Sequence, residues 1–288
     1  MPAGRVGAGI LVMLAGMLMF SLNDVLGKWL MSSYSAAQVM LVRSLSALVV
    51  LLPFLLASNP AQVIRVERPG LQALRSGLLA VEGIGFYFAV KYLPLADVVT
   101  YWLAAPVYVA ALSPLLLGER VGGRAWIAVL IGFAGVLVAL QPSAESLTPE
   151  ALIALAGSAA YALAMILGRK LRGTPDRVLV FWQIIGAALV SLPGVLFLEG
   201  GWTPPGARDL AFLATLGIVA MLAHMLVNRS FKLAPAAVVM PFMYSMLVWA
   251  VIFGAMVFDD QPQPAMLAGA VLIVAAGLML ARRPAQPS

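Results

Sequence analysis

The chain of 288 residues has no cysteine and a single histidine, His224. The first absence excludes disulfides, thiol nucleophiles and cysteine metal sites, and the second excludes a metal site built from several histidines. Charged residues are also scarce, at 10%, where a soluble domain has about 25%. Since the chain also lacks a paired histidine–acid motif and a long loop, we expect no enzymatic activity, no metal and no cofactor.

Apolar residues, in contrast, make up 62% of the chain, which is too many for a protein whose surface faces water. They form ten segments, each near the roughly 20 residues that cross a bilayer. The sequence therefore predicts an all-α integral membrane protein with ten transmembrane helices, near Val6–Leu30, Ala36–Leu56, Leu71–Tyr92, Ala96–Leu117, Arg124–Leu140, Thr148–Leu171, Val178–Leu198, Leu210–Phe231, Ala236–Phe258 and Ala265–Ala281.

The chain is internally duplicated. Leu11–Leu30 aligns without a gap to Leu152–Leu171 at an offset of 141, and Leu52-Pro53 aligns with Leu192-Pro193 at an offset of 140. We expect a first repeat over residues 1–141 and a second over residues 142–288, with five spans in each. Because five is odd, the second repeat enters the membrane from the opposite side, which predicts two inverted-topology repeats and alternating access between them.

The basic residues favour one orientation. If the N-terminus is cytoplasmic, 14 of the 18 Lys and Arg residues fall in inner loops and helix ends, among them Arg75 and Arg169. The positive-inside rule then places both termini in the cytoplasm. The net charge of +6 thus reflects topology and contact with anionic lipid, and we expect no nucleic-acid partner.

Ionisable residues inside spans are functional candidates, because each costs about 2.5–3.5 kcal/mol to insert unless it is paired or wetted. Glu82 lies near the middle of the third span without a cation one turn away. Arg43 and Asp24 lie at similar depth in adjacent spans, although Asp24 is also one turn from Lys28. The fork of Arg43 suits a carboxylate or a phosphate. The alternative for each is a structural ion pair.

Four uncharged or weakly titrating residues complete the candidate site. His224 lies in the eighth span; an imidazole ordinarily titrates near neutral pH, as a proton relay requires, although a hydrogen-bonded core histidine is the commoner case. Tyr101 and Tyr244 lie on the equivalent fourth and ninth spans, where a buried hydroxyl needs a partner. Gln183 is a milder candidate for hydrogen bonding. Prolines in the same spans, at 106, 114 and 241, are expected to break backbone hydrogen bonding.

Two stretches carry a family resemblance. Tyr92–Leu140 has a Tyr-Leu-Pro lead-in, a mid-helix Pro106, a terminal Gly118-Glu119 and then Ala134-Gly135. It resembles the fourth and fifth helices of EamA-type transporters of the drug/metabolite transporter superfamily. The second copy departs from the pattern, since Asp259-Asp260 replaces Gly-Glu. In this family Glu119 is expected to be a fold marker rather than a ligand.

The opening of the first copy resembles a subgroup of that family. SLNDVLGKWL and QVMLVRSLSALVVLLPF resemble its ND-x-x-x-K and Q/E-x-x-x-x-R signatures. The subgroup handles amino-acid-derived solutes, including S-adenosylmethionine and opine-type metallophores. The resemblance implies a secondary transporter of a small polar solute in a bacterial cytoplasmic (inner) membrane, either an exporter of an opine-type metallophore or an importer of S-adenosylmethionine or a similar metabolite. A lipid-carrier flippase is the remaining alternative, and a monomer or weak homodimer is expected.

Overall fold

A computed structural model describes residues 3–30, 33–57, 66–92, 101–141, 148–198, 202–258 and 264–281. Within these ranges all regular structure is helical, in agreement with the predicted fold class. The ten helices are α1 Ala3–Leu30, α2 Ala36–Leu56, α3 Pro69–Tyr92, α4 Ala105–Leu117, α5 Gly123–Leu140, α6 Pro149–Lys170, α7 Asp176–Pro193 with a π-helical turn Gly194–Leu198, α8 Ala207–Leu233, α9 in three pieces Ala236–Val239, Met240–Tyr244 and Ser245–Phe258, and α10 Pro264–Ala281.

Local sequence explains where several helices begin and end. The Ser35 hydroxyl accepts a hydrogen bond from the Gln38 amide at 3.2 Å and starts α2. Thr148 caps α6 through the Ala151 amide in the same way, at 3.4 Å. Helix α4 ends at Gly118, whose φ of 66° is readily reached only without a side chain.

The fourth and ninth spans differ from the sequence-based expectation. Pro106 lies in the first turn of α4, where its missing amide hydrogen breaks no helical bond, so it does not interrupt that helix as predicted. Pro241 does mark a break, because it lies in the tight 3-10 turn Met240–Tyr244 inside α9. The start of the predicted fourth span, residues 96–100, lies outside the described residues.

Helix packing follows the duplication. Helices α1 and α6 occupy equivalent places in the two repeats, as do α3 and α8. The closely packed pair α1–α8 is therefore equivalent to the closely packed pair α6–α3. Equivalent helices also pack on one another in the pairs α2–α7 and α5–α10. This arrangement is that of two inverted repeats around a pseudo-two-fold axis. Below, the N-face is the end of the bundle where α1 begins, and the opposite face is the end where α1 finishes.

The outer surface of the bundle is apolar, as expected for contact with lipid. Leu11, Val49, Leu115 and Val271 are each more than two-thirds exposed. By length and composition, five helices in the described ranges can cross a membrane, and four further apolar helices are shorter there. The charged residues of the spans must therefore be accommodated between helices.

Glycines permit the closest helix contacts. A Cβ on Gly217 of α8 would collide with the backbone carbonyl of Arg43 on α2, so only glycine allows this approach. On α5 and α10, a Cβ on Gly135 would come within 2.9 Å of the Gly269 carbonyl oxygen. Contacts between small residues of this kind are typical of membrane helices. The contact at Gly217 brings the backbone of Arg43, a candidate site residue, against helix α8 of the second repeat.

Candidate functional site

A small cavity lies where α2, α7 and α8 meet. Its volume is about 30 Å³, enough for one or two water molecules. Its polar side chains are Arg43, Ser44, Gln183 and His224. At the offset of 140 that aligns Pro53 with Pro193, Arg43 aligns with Gln183. The cavity therefore lies on the pseudo-two-fold axis with one polar residue from each repeat, and we call it the axis cavity.

Two acidic candidates lie around Arg43. The positive charge of Arg43 acts on the carboxylates of both Asp24 and Glu82. Asp24 is exposed, and Leu11 of the same helix faces lipid. Asp24 lies 13 residues after Leu11, so it is rotated by about 220° from Leu11 around the helix axis. Its exposed side therefore points between helices and not into lipid. These three predicted residues are brought together, one from each of the first three helices.

Glu82 is held in place by an aromatic residue of the next segment. Its carboxylate accepts a hydrogen bond from the indole of Trp102. Trp102 is buried, with its ring edge-on to Phe86 at 5.2 Å and its far edge against Gly157 of α6. A Cβ at position 157 would approach that ring to 2.5 Å, so glycine is required there. The second repeat thus fixes the side chain that orients Glu82.

His224 lines the axis cavity from α8. Its ring meets Phe20 of α1 edge-on at 4.8 Å, and the charges of Arg43 and Arg75 both act on it. Arg43 and Arg75 are thus the charged neighbours of the imidazole inside the bundle.

The two tyrosines lie elsewhere. Tyr244 is fully buried, with its ring packed against Gly132 of α5 and its hydroxyl donating to the Val129 carbonyl at 3.4 Å. Tyr101 is half-buried against the main apolar core. Neither residue lines the axis cavity. A tyrosine's position along a span does not reveal which neighbouring helix it faces.

One polar residue was placed wrongly from the sequence. Arg75 was counted with the inner loops and helix ends, but it is fully buried on α3. Its guanidinium donates to the Leu179 carbonyl at 3.2 Å, to Gln183 Oε1 at 3.5 Å and to Asn228 Oδ1 at 2.8 Å. The sequence did contain a signal for this burial, since Arg75 is the seventh residue of an apolar helix. Arg75 belongs to the same polar region as the axis cavity, because Gln183 accepts from Arg75 and also lines the cavity.

Ionic contacts join the two repeats at the N-face. Glu119, at the end of α4, accepts from Arg169 Nε of α6 at 2.7 Å and from the Ala236 amide of α9 at 3.0 Å. Arg169 also donates to the Phe231 carbonyl. Glu119, predicted to be a fold marker, therefore ties its repeat to two helices of the other, α6 and α9, and Arg169 extends the contact to α8. We call this set of contacts the N-face latch.

Hydrogen bonds also join the repeats at the opposite face. The buried Gln38 side chain donates to the Thr203 carbonyl at 2.5 Å and accepts from the Thr203 amide at 3.0 Å. Tyr34 donates to Asp209 at 2.7 Å. This hydrogen bond to the carboxylate raises the pKa of Tyr34. Between the two sets of contacts lie the axis cavity and its charged neighbours.

No three His, Asp or Glu side chains in the described ranges come close enough to hold a metal ion. The polar residues of the region are cations, carboxylates and amides on five helices, all directed between helices. Such a set can bind a polar solute and balance its charge.

A family model for EamA-like transporters matches the chain twice, over residues 7–141 and 148–282. The chain belongs to the EamA-like transporter family. It is a transporter and not an enzyme, with the predicted multi-pass membrane architecture, as the duplicated match and the named relatives together show.

Several named relatives of the EamA-like chain are full-length matches. It is 26% identical to an S-adenosylmethionine uptake transporter of Rickettsia bellii, over 94% of this chain and 92% of the relative. It is 26% identical to a riboflavin transporter of Rhizobium johnstonii, over 98% and 93%, and to a pseudopaline exporter of Pseudomonas aeruginosa, over 96% of each chain. These relatives support a small-metabolite solute.

A protein of known crystal structure shares the fold. It superposes with a TM-score of 0.82 at 20% identity, over 95% of this chain and 96% of that one. The shared fold therefore extends over the whole bundle, including the helices that carry the axis cavity.

Proposed function

We propose that the protein is a secondary transporter that moves a small, amino-acid-derived solute with a carboxylate by alternating access. The observation that carries the proposal is the axis cavity, where Arg43 and Gln183 occupy equivalent positions of the two repeats. A site on the axis is contacted by both repeats whichever face is open. Export of an opine-type metallophore is the leading assignment, and the similarity to a pseudopaline exporter supports it.

Uptake of S-adenosylmethionine is the second candidate. Similarity to a named uptake transporter for that solute favours it, at the same 26% identity. S-adenosylmethionine also carries an amino-acid carboxylate, so both candidates place the same group on Arg43. The two differ in the direction of transport and in the rest of the solute. A lipid-carrier flippase has no specific observation in its favour.

The charges around the cavity suggest how the empty and loaded states are balanced. Without solute, the carboxylates of Asp24 and Glu82 compensate Arg43. A bound solute carboxylate takes over part of this role through the planar fork of the guanidinium. The carboxylate displaced from Arg43 can then take a proton or a second cation, which provides a route for coupling.

Arg43→Lys tests this role. Lysine keeps the positive charge but loses the paired hydrogen bonds, which are worth about 1.5–3 kcal/mol to a charged partner. We expect apparent affinity to fall by roughly ten- to a hundredfold, measured as transport into proteoliposomes of the solute identified by comparing metabolites of cells with and without the protein. A decarboxylated analogue should be transported equally by both proteins.

The matched control for Arg43→Lys is Arg172→Lys, since Arg172 is an exposed arginine in the loop between α6 and α7. It should transport like the parent. If Arg43→Lys also behaves like the parent for every solute tested while Arg43→Ala misfolds, Arg43 only pairs helices. The carboxylate site would then have to lie elsewhere.

We also propose that the N-face is cytoplasmic in a bacterial inner membrane and that the protein functions as a monomer or weak homodimer. The absence of cysteine makes labelling direct. A cysteine at Gly173, exposed at the N-face, should react with an impermeant thiol reagent only after cells are opened. A cysteine at Ser33, exposed at the opposite face, should react in intact cells. The reverse pattern would refute the orientation.

A further inference from the structure

Arg75 is a fully buried cation whose partners are all neutral. Its three hydrogen bonds go to one main-chain carbonyl and two side-chain amides, on α7 and α8. Among the described residues, no carboxylate forms an ion pair with it. A buried guanidinium with only neutral acceptors retains most of its desolvation cost. An anion arriving at this position would offset that cost.

Unused polar atoms lie on Arg75 itself and on nearby residues of α3 and α8. Its own Nε has no hydrogen-bond partner, and neither do Gln72 Oε1, Ser76 Oγ and Asn228 Nδ2. Nε and the Asn228 amide are donors whose hydrogen bonds an anion accepts directly, and the Ser76 hydroxyl can donate as well. Such a concentration of unsatisfied buried groups requires an explanation, since buried polar atoms are normally paired.

Gly168 of α6 leaves the Nε of Arg75 uncovered. A Cβ at that position would come within 3.2 Å of Nε and 3.7 Å of Asn228 Oδ1. Alanine, a better helix former, would cover the unused donor. The glycine therefore keeps one side of the guanidinium free for a partner.

Arg75 and the axis cavity share Gln183. Gln183 lines the cavity beside Arg43 and accepts from Arg75 at 3.5 Å. Arg43 is the eighth residue of α2, which starts at the opposite face, and Arg75 is the seventh of α3, which starts at the N-face. At 1.5 Å per residue, each lies roughly 10 Å inside its own face. The two cations are thus stacked across the middle of the bundle.

We propose that Arg75 is a second anion-binding subsite, and that the transported solute carries two anionic groups, one held by Arg43 and the other by Arg75. When the N-face latch opens, the second group reaches Nε and the Asn228 amide, and Gln183 is released from Arg75. The proposal deepens the transport function proposed above and rests on it.

Binding of simple diacids tests the subsite. The purified full-length protein is heated in detergent with dicarboxylates from succinate to pimelate, each compared with its own half-amide, which keeps the length but has one charge. Bound ligand stabilises by mass action, so apparent affinity follows from the concentration dependence of the melting temperature. We expect one diacid to bind at least tenfold more tightly than its half-amide, at the length that spans both arginines.

Variants assign the second charge to its residue. Arg75→Gln and Gly168→Ala should both remove the preference for the diacid and leave the affinity of the half-amide unchanged. Arg172→Gln, the same change in an exposed arginine, should keep the preference. If Arg75→Gln does not fold, Gly168→Ala retains the arginine and blocks only its free side.

The outcomes separate the two proposals. Equal binding of every diacid and its half-amide, with Arg43→Gln abolishing both, would overturn the second subsite and leave the carboxylate role of Arg43 intact. A diacid preference that survives in both Arg75→Gln and Gly168→Ala would make Arg75 a structural link between α3, α7 and α8. No binding of any acid would overturn both proposals.

Discussion

A Glu82→Gln variant should insert and fold like the parent and should transport at least roughly a hundredfold more slowly, which corresponds to about 3 kcal/mol. Glutamine keeps the size of glutamate and can still accept from Trp102, so the local packing is retained. What it loses is the negative charge that balances Arg43. Since removing a charge from the membrane interior also removes an insertion cost, stability should change little.

Because Asp24 is still present, the Glu82→Gln variant can lose transport and keep its fold. Asp24 is the second carboxylate on which Arg43 acts, so Arg43 does not become an unpaired charge in that variant. The control is Glu67→Gln, the same substitution at an exposed position before α3. Transport is measured in proteoliposomes at matched amounts of folded protein. If Glu82→Gln instead lowers the amount of folded protein and the remainder transports normally, Glu82 is a structural residue.

Breaking the N-face latch should have the second large effect. Arg169→Met removes the ion pair and leaves Glu119, whose side chain is only 20% exposed, with one hydrogen bond to the Ala236 amide. Removing one partner of a buried ion pair lowers the free energy of unfolding by about 3–5 kcal/mol. Because Glu119 is partly exposed to solvent, we expect a smaller loss here, about 2–3 kcal/mol. Reversible unfolding in mixed micelles measures this loss.

The latch should also control the opening of the N-face, because Glu119 belongs to the first repeat and Arg169 to the second. Spin labels on cysteines at Gly122 and Gly173, both exposed, report the separation of the repeats. Arg169→Met should populate longer distances. The control is Lys232→Met, which breaks the 2.7 Å Lys232–Asp176 pair, similarly buried but contained within the second repeat.

A charge exchange tests whether the ion pair itself is responsible. Glu119→Arg combined with Arg169→Glu restores opposite charges but not the cap on the Ala236 amide. We expect partial recovery of stability and of the short distance, and a coupling energy in the double-mutant cycle. Equal distance distributions in Arg169→Met and Lys232→Met would show that the latch contributes stability alone.

Much of the candidate site was accessible from residue type and depth. Glu82, Arg43 and Asp24 stand out because charges inside apolar spans are rare and expensive. The short loop between the first two spans also places Asp24 and Arg43 at similar depth. The structure brings these residues to one region, and the equivalence of Arg43 and Gln183 follows from the repeat alignment once both are seen to line the same cavity.

What the sequence by itself determined was the solvent, the number of spans and the duplication, because hydrophobic length and internal similarity are linear properties of the chain. It also determined that five-span repeats must be inverted. These conclusions depend on no contact between helices.

Only the tertiary structure decided which helix each polar residue faces. Arg75 is a buried donor to α7 and α8 rather than a loop cation, Tyr244 packs on Gly132 rather than in the cavity, and Glu119 latches two repeats. Depth along a helix can be read from the sequence. Rotation about the helix axis and the identity of the neighbour are set by packing between distant segments, at glycines whose missing side chains permit the approach.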